Sequence, residues 1–311
     1  ETAEQLSQAP FDEQKFHDLE NAIEALSATA PDARLHTGDR ELLGLETAVN
    51  NLLGRMHDSY RQQIRFVSDA SHELRTPISV IQGYADMLAR WGTQDEKVLK
   101  ESITAIRDES QHMQKMVEQL LFLARGDAGR NQLTMAKVDL ADMMRDVHEE
   151  YDMINPAHRW QLQAEEHVLA LGDLAMLKQT ARILADNAAK YSREGEAITL
   201  RAFYTDKGQP CISVQDNGNG IQSKDIPHIF ERFYRSDPAR TRNTGGTGLG
   251  LSIAKWIVDR HEGYFNVISR EGLGTRIEVV LPKFKEEATP GSDNVIALEV
   301  AKGPEALAAG K

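Results

Sequence analysis

The run Ser71-His72-Glu73-Leu74-Arg75-Thr76-Pro77 brings three reactive side-chain types within one and a half helical turns. Read as a single helix from Ile64 to Leu88, it carries Val67, Ala70, Leu74, Ile78, Ile81, Ala85 and Leu88 within about 40° of one another, as one apolar stripe. His72 falls about 160° from Leu74, on the solvated side, with Thr76 one turn on and Glu73 beside it. A carboxylate there can take the proton from one imidazole nitrogen and leave the other nucleophilic. Thr76 can position a water or a phosphoryl oxygen over the same spot. Pro77 cannot donate to the carbonyl of Glu73, so a bend or local loosening is expected one turn past the histidine. A lone histidine on a solvated helix face carries no such meaning, and His57, His112 and His148 are read that way.

Three further segments suit a phosphorylated ligand. Asp186-Asn187-Ala188-Ala189-Lys190-Tyr191 closes a predicted helix. Asn187 offers a neutral oxygen that fits Mg²⁺ already carrying phosphate and water, and Lys190 lies within a turn of it. Asp216-Asn217-Gly218-Asn219-Gly220-Ile221 follows a strand pattern. Alone it reads as a turn, but Asp216 could also accept from an adenine amino group while the glycines admit close backbone approach. Gly245-Gly246-Thr247-Gly248-Leu249-Gly250-Leu251 precedes a helix whose N-terminal N–H groups are free for phosphate. It is neither a Walker A loop nor a G-x-G-x-x-G dinucleotide turn.

Ser71–Pro77 resembles the phospho-acceptor box of sensor histidine kinases. The resemblance implies that His72 is phosphorylated, that Glu73 activates it, and that Thr76 serves dephosphorylation of the partner. The three later segments, in this order and at about 30-residue spacing, resemble the N, G1 and G2 boxes of the ATPase superfamily that includes Hsp90, gyrase B and MutL. Ile229-Phe230-Glu231-Arg232-Phe233-Tyr234-Arg235 resembles that superfamily's F box, residues 222–247 its ATP lid, and Gly272-Leu273-Gly274-Thr275 its last glycine box. Arg235, Arg240 and Arg242 bring positive charge to the lid, and Arg235 is the candidate for γ-phosphate stabilisation. One position departs from the family: Ile183 stands where many members carry an Asn, four residues before the metal-binding Asn187.

Positioning these groups requires several elements. Residues 12–60 show two apolar-periodic stretches, Phe16–Leu26 and Leu42–Met56, around the connector Ala30–Gly38, and resemble a HAMP signalling linker. Residues 61–129 read as two long helices. In the second, Leu99, Ile106, Met113 and Leu120, with Ile103, Ser110, Val117 and Ala124, make an a/d seam over about four heptads. Such an αα-hairpin predicts a dimeric four-helix bundle through residues 61–126. Residues 138–284 mix helix (Leu174–Tyr191, capped by Asp173; Ser252–Arg260) with strand (Ala197–Tyr204, Cys211–Gln215, Thr275–Leu281), predicting an α/β two-layer sandwich of the GHKL ATPase type. Cys211 reads as an inert strand residue, and 285–311 as a flexible tail.

The 311 residues carry 36 Lys and Arg against 48 Asp and Glu, a net charge of −12. Residues 1–60 hold twelve acids and four bases, so the excess belongs to one end. That balance argues against a nucleic-acid-coating role. One cysteine excludes an intramolecular disulfide or a Cys-rich zinc site. No apolar run of about 18 residues is present. The resemblance to sensor histidine kinases, not the composition, implies that the chain is the cytoplasmic portion of a dimeric, membrane-anchored sensor, with its anchor upstream of residue 1. It would take Mg-ATP, phosphorylate His72 and pass the phosphoryl group to a response-regulator Asp, with Thr76 supporting the reverse reaction. Two alternatives stay open: an ATP-driven clamp without phosphohistidine, and a nucleotide-binding scaffold.

Overall fold

The computed structural model describes residues 17, 20, 34–36, 38, 42–91, 95–236 and 246–283. The expected helix over 16–26 (residues 17 and 20 apart), most of the connector, turn residues 92–94, Arg240, Arg242, Gly245 and the 285–311 tail lie outside the described residues.

Two antiparallel helices form the first half. Helix α1 (Leu43–Trp91) runs unbroken for 49 residues, roughly 73 Å. The expected boundary near residue 60 is not a break, because residues 57–63 contain neither Gly nor Pro to interrupt the hydrogen-bond ladder. The helix also continues through Pro77, which is its one buried residue. Upstream, Leu35 is 1 % exposed. Its N–H donates to Asn50 Oδ1 at 2.7 Å while Asn50 Nδ2 donates back to Leu35 O at 2.9 Å. That amide clamp fastens the Leu35 backbone to α1. Helix α2 (Glu96–Asp127) starts at Asp95, whose carboxylate accepts from the N–H groups of Lys97 and Val98. It stops at Gly129, whose φ of +67° suits the left-handed conformation that ends a helix.

Residues 136–283 form the α/β unit. Its elements are β1 (Ala136–Asp139), α3 (Leu140–Ile154), β2 (Arg159–Ala164), β3 (Leu169–Gly172), α4 (Leu174–Tyr191), β4 (Ala197–Tyr204), β5 (Pro210–Gln215), a 3₁₀ turn (Ile226–His228), α5 (Gly250–Arg260), β6 (Tyr264–Arg270) and β7 (Gly274–Val280). The main sheet has the order β2-β4-β5-β7-β6, parallel only between β2 and β4, and β1 pairs with β3 apart from it. Alternation in β4 sends Ile198, Leu200 and Ala202 inward, and in β7 Thr275, Ile277 and Val279, as their spacing predicts. The apolar ones meet Leu140, Met144, Val147 and Tyr151 of α3 and Leu177, Leu184 and Ala188 of α4 in one core. Asp173 caps α4 by accepting from Met176 N, so the helix begins and ends where the sequence predicts.

Within the single chain the predicted seam is partly covered, with Ile106, Met113 and Leu120 half-buried. Ile103, Val117 and Leu121 of α2 are exposed in the single chain, as are Ile64, Val67 and Ile78 of α1. The fully buried apolar residues of α2 are Met116 and Leu123, outside the predicted a/d set. They face the α/β unit and pack with Leu249, Ile253 and Ile257 around α5, joined by Phe66, Leu74, Phe122, Phe233 and Trp256. Each such burial is worth about 1.5–3 kcal/mol relative to exposure. The two halves are therefore docked through an apolar cluster, with Phe122 and Trp256 edge-on at 5.2 Å. Among the described residues no helix is long and apolar enough to cross a membrane.

Candidate active site

The last turn of α4, the β5 exit and the start of α5 converge at one end of the sheet. There two adjoining cavities open, sharing Asn187, Tyr191, Tyr234 and Arg235 in their walls. The smaller, about 120 Å³, is lined by Asp216, Gly220, Ile221, Val214, Ala188 and Leu251. The larger, about 550 Å³, is lined by Asn187, Lys190, Gly246, Thr247, Gly248 and Gly250 on the α/β side. A narrow, mostly apolar slot beside a wider polar space suits a ring system carrying a charged tail.

Asp216 anchors the narrow slot. Its Oδ1 accepts from Gly218 N at 2.8 Å and Thr275 N at 3.2 Å, while Oδ2 accepts nothing among the described residues. Burial pushes the carboxyl above its ordinary range, opposed by those two backbone donors. The glycines here are structural necessities. A Cβ on Gly218 would lie 2.2 Å from Tyr191 O, and Gly220, at φ +68°, would place one 2.1 Å from Arg270 O. Asn219 N also donates to Tyr191 O, tying the turn to the end of α4. The Asp216–Gly220 segment is therefore no hairpin turn; it is a loop clasped between α4 and the β6–β7 connection. Gly218 builds that clasp without lining either cavity.

The wider space is cationic. Lys115, Arg182, Lys190 and Arg235 line it against Glu118 and Asp186. Lys190 Nζ lies 2.0 Å from where a Cβ on Gly246 would be, so the ammonium sits directly over that backbone and a side chain there would push it aside. Burial and then the positive charge of Arg235 lower the pKa of Lys190. Tyr191, whose pKa burial raises, stands with Lys190 Nζ 5.1 Å from its ring centre. Leu249 precedes α5 with no side-chain cap, which leaves the first N–H groups of that helix available to an anion. Leu249 itself lines neither cavity: it is fully buried in the docking cluster, and its neighbours supply the wall.

His72 and Thr76 are exposed on α1 and lie outside both cavity walls. The link to them is Arg235, whose Nη2 donates to Glu73 Oε2 at 2.7 Å. A second lid arginine, Arg232, grips Asp127 at the end of α2 through two bonds of 2.9 and 2.7 Å. Sequence reasoning missed the far wall of the large cavity. His112, Lys115, Gln119 and Phe122 of α2 line it, and Thr247 Oγ1 donates to Gln119 Oε1 at 2.7 Å. His112 is half-buried in that wall. Its helical companions at 115, 116, 119, 122 and 123 were the available signal, a second face beside the predicted seam. Asp186 was also missed; it accepts from the Tyr151 hydroxyl at 2.6 Å, and burial, then this bond, raises the tyrosine's pKa.

Comparison with known proteins matches this division. The family model "His Kinase A (phospho-acceptor) domain" covers residues 62–129, and "Histidine kinase-, DNA gyrase B-, and HSP90-like ATPase" covers 172–285. The chain is 41 % identical over 237 residues to the sensor histidine kinase YkoH of Bacillus subtilis, covering 76 % of this chain and 51 % of that one. It is 34 % identical over 247 residues to the signal transduction histidine-protein kinase ArlS of Staphylococcus haemolyticus, covering 79 % and 54 %. The structure of the histidine kinase AdeS of Acinetobacter baumannii shares the fold, with a TM-score of 0.53 at 22 % identity over 68 % of this chain and 96 % of that one. The chain spans about half the length of the curated relatives it matches. With a phospho-acceptor hairpin docked on a GHKL-type ATPase unit, it belongs to the sensor histidine kinase family.

Proposed function

We propose that the chain binds Mg-ATP in the paired cavities, moves the γ-phosphoryl group to His72, and passes it to an Asp on a response-regulator receiver domain. The observation that carries this reading is the path Asn187–Arg235–Glu73. Arg235 lines both cavities and its guanidinium donates to the carboxylate next to His72.

Adenine fits the narrow slot, where its amino group can donate to the free Oδ2 of Asp216 and Ile221 and Val214 close on its faces. Gly246, Thr247, Gly248 and Gly250 with Lys190 line the space for the phosphates. Asn187 is the oxygen donor fitted to Mg²⁺, with Asp186 on the same turn, and the cation would neutralise phosphate charge. His72 attacks phosphorus through one ring nitrogen while Glu73 takes the proton from the other; the bond to the β-phosphate oxygen breaks. Arg235 must leave Glu73 for the γ-phosphate before Glu73 can act as base, which implies movement of the catalytic unit. Thr76, one turn from His72 on the same exposed face, is suited to orient the water that reverses receiver phosphorylation.

The exposed apolar residues of α1 and α2 support a homodimer through residues 61–126, and the receiver domain would dock on the outer face carrying His72. The domain limits follow: a HAMP-like linker over 12–60, the hairpin over 61–129 and the ATP unit over 138–284. The Leu35–Asn50 clamp supports the first of these. The parent protein is a membrane-anchored sensor of which this is the cytoplasmic portion. Incubation with γ-labelled ATP and Mg²⁺ tests the reading. An acid-labile label on the wild type, absent from His72→Ala, is expected. ATP turnover without protein-bound label, at equal rate in both, would instead mean a clamp ATPase.

A further inference from the structure

The large cavity has a wall that no kinase-domain motif accounts for. His112, Lys115 and Gln119 come from α2 of the hairpin, at i, i+3 and i+7 on one face, and line the same space as Asn187 and Lys190. That face is fixed in place from both ends. Met116 and Leu123, one residue away in register, are each 1 % exposed in the docking cluster. Gln119 accepts from Thr247 inside the glycine segment at 2.7 Å. Lys115 Nζ stands 3.8 Å from Asp186 Oδ2, beside the metal-side Asn187. At that distance the pair is loose, and both side chains are more than half exposed, so it is worth little as an ion pair. Its ammonium remains available to a stronger anion in the same cavity.

We propose that the hairpin completes the nucleotide site: in the docked arrangement Lys115, flanked by His112 and Gln119, contacts the polyphosphate of the bound adenine nucleotide. This rests on the nucleotide reading above and adds the hairpin to it. A tetra-anionic tail entering the cavity draws Lys115 off Asp186, because a charge-assisted bond to phosphate is stronger than a long, solvated contact to a carboxylate. Nucleotide binding and docking of the two halves then favour each other, and by linkage each strengthens the other by the same factor. Phosphate-bearing nucleotides gain from the contact; adenosine does not.

The test is equilibrium binding of AMPPNP with Mg²⁺, and separately of adenosine, to the whole chain and to Lys115→Ala, Lys115→Glu and Asp216→Asn. Lys115→Ala is expected to weaken AMPPNP about 5- to 10-fold, the loss of one charge-assisted contact, and Lys115→Glu by more, with adenosine unchanged. A general loosening of the fold would move adenosine as well. The same Lys115→Ala change is then made in Asp186→Asn. A direct phosphate contact persists there with the same factor. If the effect vanishes in that background, Lys115 only masks Asp186 and the proposal is overturned. Equal AMPPNP affinity in wild type, Lys115→Ala and Lys115→Glu also overturns it, while loss in Asp216→Asn leaves the nucleotide reading standing. A wild-type chain that binds neither ligand brings both down.

Discussion

Gly126→Ala separates the stability of the hairpin from its docking to the catalytic unit. Gly126 sits in the last turn of α2 with helical backbone, so alanine there favours the helix by up to about 1 kcal/mol. Its new Cβ, however, would stand 2.6 Å from Trp256 Nε1 and 2.7 Å from Cε2. Trp256 has little room to yield. Phe122 packs edge-on to it at 5.2 Å and 84°, and the Arg260 guanidinium lies 5.5 Å over its ring. Forcing a methyl into such a contact costs about 1–3 kcal/mol, all of it charged to the interface. The docked-to-undocked ratio should fall roughly 5- to 150-fold while the hairpin melts no earlier than wild type. Energy transfer between dyes at exposed positions 82 and 206, with unlabelled chain in excess, reads the first quantity. Helical circular dichroism on heating reads the second. An unchanged distance distribution would refute the docking contact, and an earlier hairpin transition would refute the helix arithmetic.

Asp216→Asn keeps an acceptor for Gly218 N and Thr275 N but removes a carboxyl that burial holds above its usual range. The folded chain binds that proton more tightly than the unfolded one. Its contribution to stability therefore falls as pH rises from the unfolded carboxylate pKa through the raised value. The variant should melt above wild type at neutral pH, lose that advantage in acid, and bind AMPPNP poorly; equal melting points at both pH values count against the burial argument. Burial likewise pushes the Cys211 thiol up to about 12, so a thiol reagent at pH 8 should label no native chain and one site per denatured chain. Gly274→Ala combines a φ of +116° with a Cβ 2.2 Å from Asp216 O, whereas Gly208 at φ +66° meets only the Lys283 side chain. The first substitution should cost several kcal/mol by thermal melting and the second about 1 kcal/mol; similar losses at both would mean that φ alone decides.

What could be read in the sequence was what local chemistry determines. Asp173 announces α4 because a carboxylate can satisfy free N–H groups only at a helix start, and β4 alternates because one face meets the core. Helix α3 was legible in principle: Asp139 caps it, and Leu140, Met143, Met144, Val147 and Tyr151 repeat at helical spacing into the core. Strand β6 alternates only between exposed and half-buried residues at a sheet edge, so its pattern is faint. The residues of the site declared themselves through glycines and a carboxylate in order. The α2 wall did not, because a long amphipathic helix offers several faces and the choice among them depends on what docks, which is non-local information. Met116 and Leu123 were apolar but fell outside the strongest repeat, whose own members are half-buried (Ile106, Met113, Leu120) or exposed (Leu99, Ile103, Val117) in the single chain.

The departure at residue 183 gains meaning from the same interface. An asparagine one turn before Asn187 would present a second polar donor to the cavity; Ile183 presents none. Its side chain instead joins the docking cluster with Leu249 and Ile253, its Cγ2 3.4 Å from where a Cβ on Gly250 would stand. A buried polar amide at this place would need a partner in the docked state or cost about 1–3 kcal/mol, so isoleucine favours docking; under the proposed function it also leaves Mg²⁺ fewer protein oxygens. Ile183 and Asn187 are successive turns of one face of α4, and both line the large cavity. Release of the catalytic unit from the hairpin therefore exposes an apolar residue one turn from Asn187, the oxygen proposed above for Mg²⁺. On the function proposed above, one face of α4 carries both a docking contact, Ile183, and the candidate cation ligand, Asn187, so a change in the tilt of that face alters both.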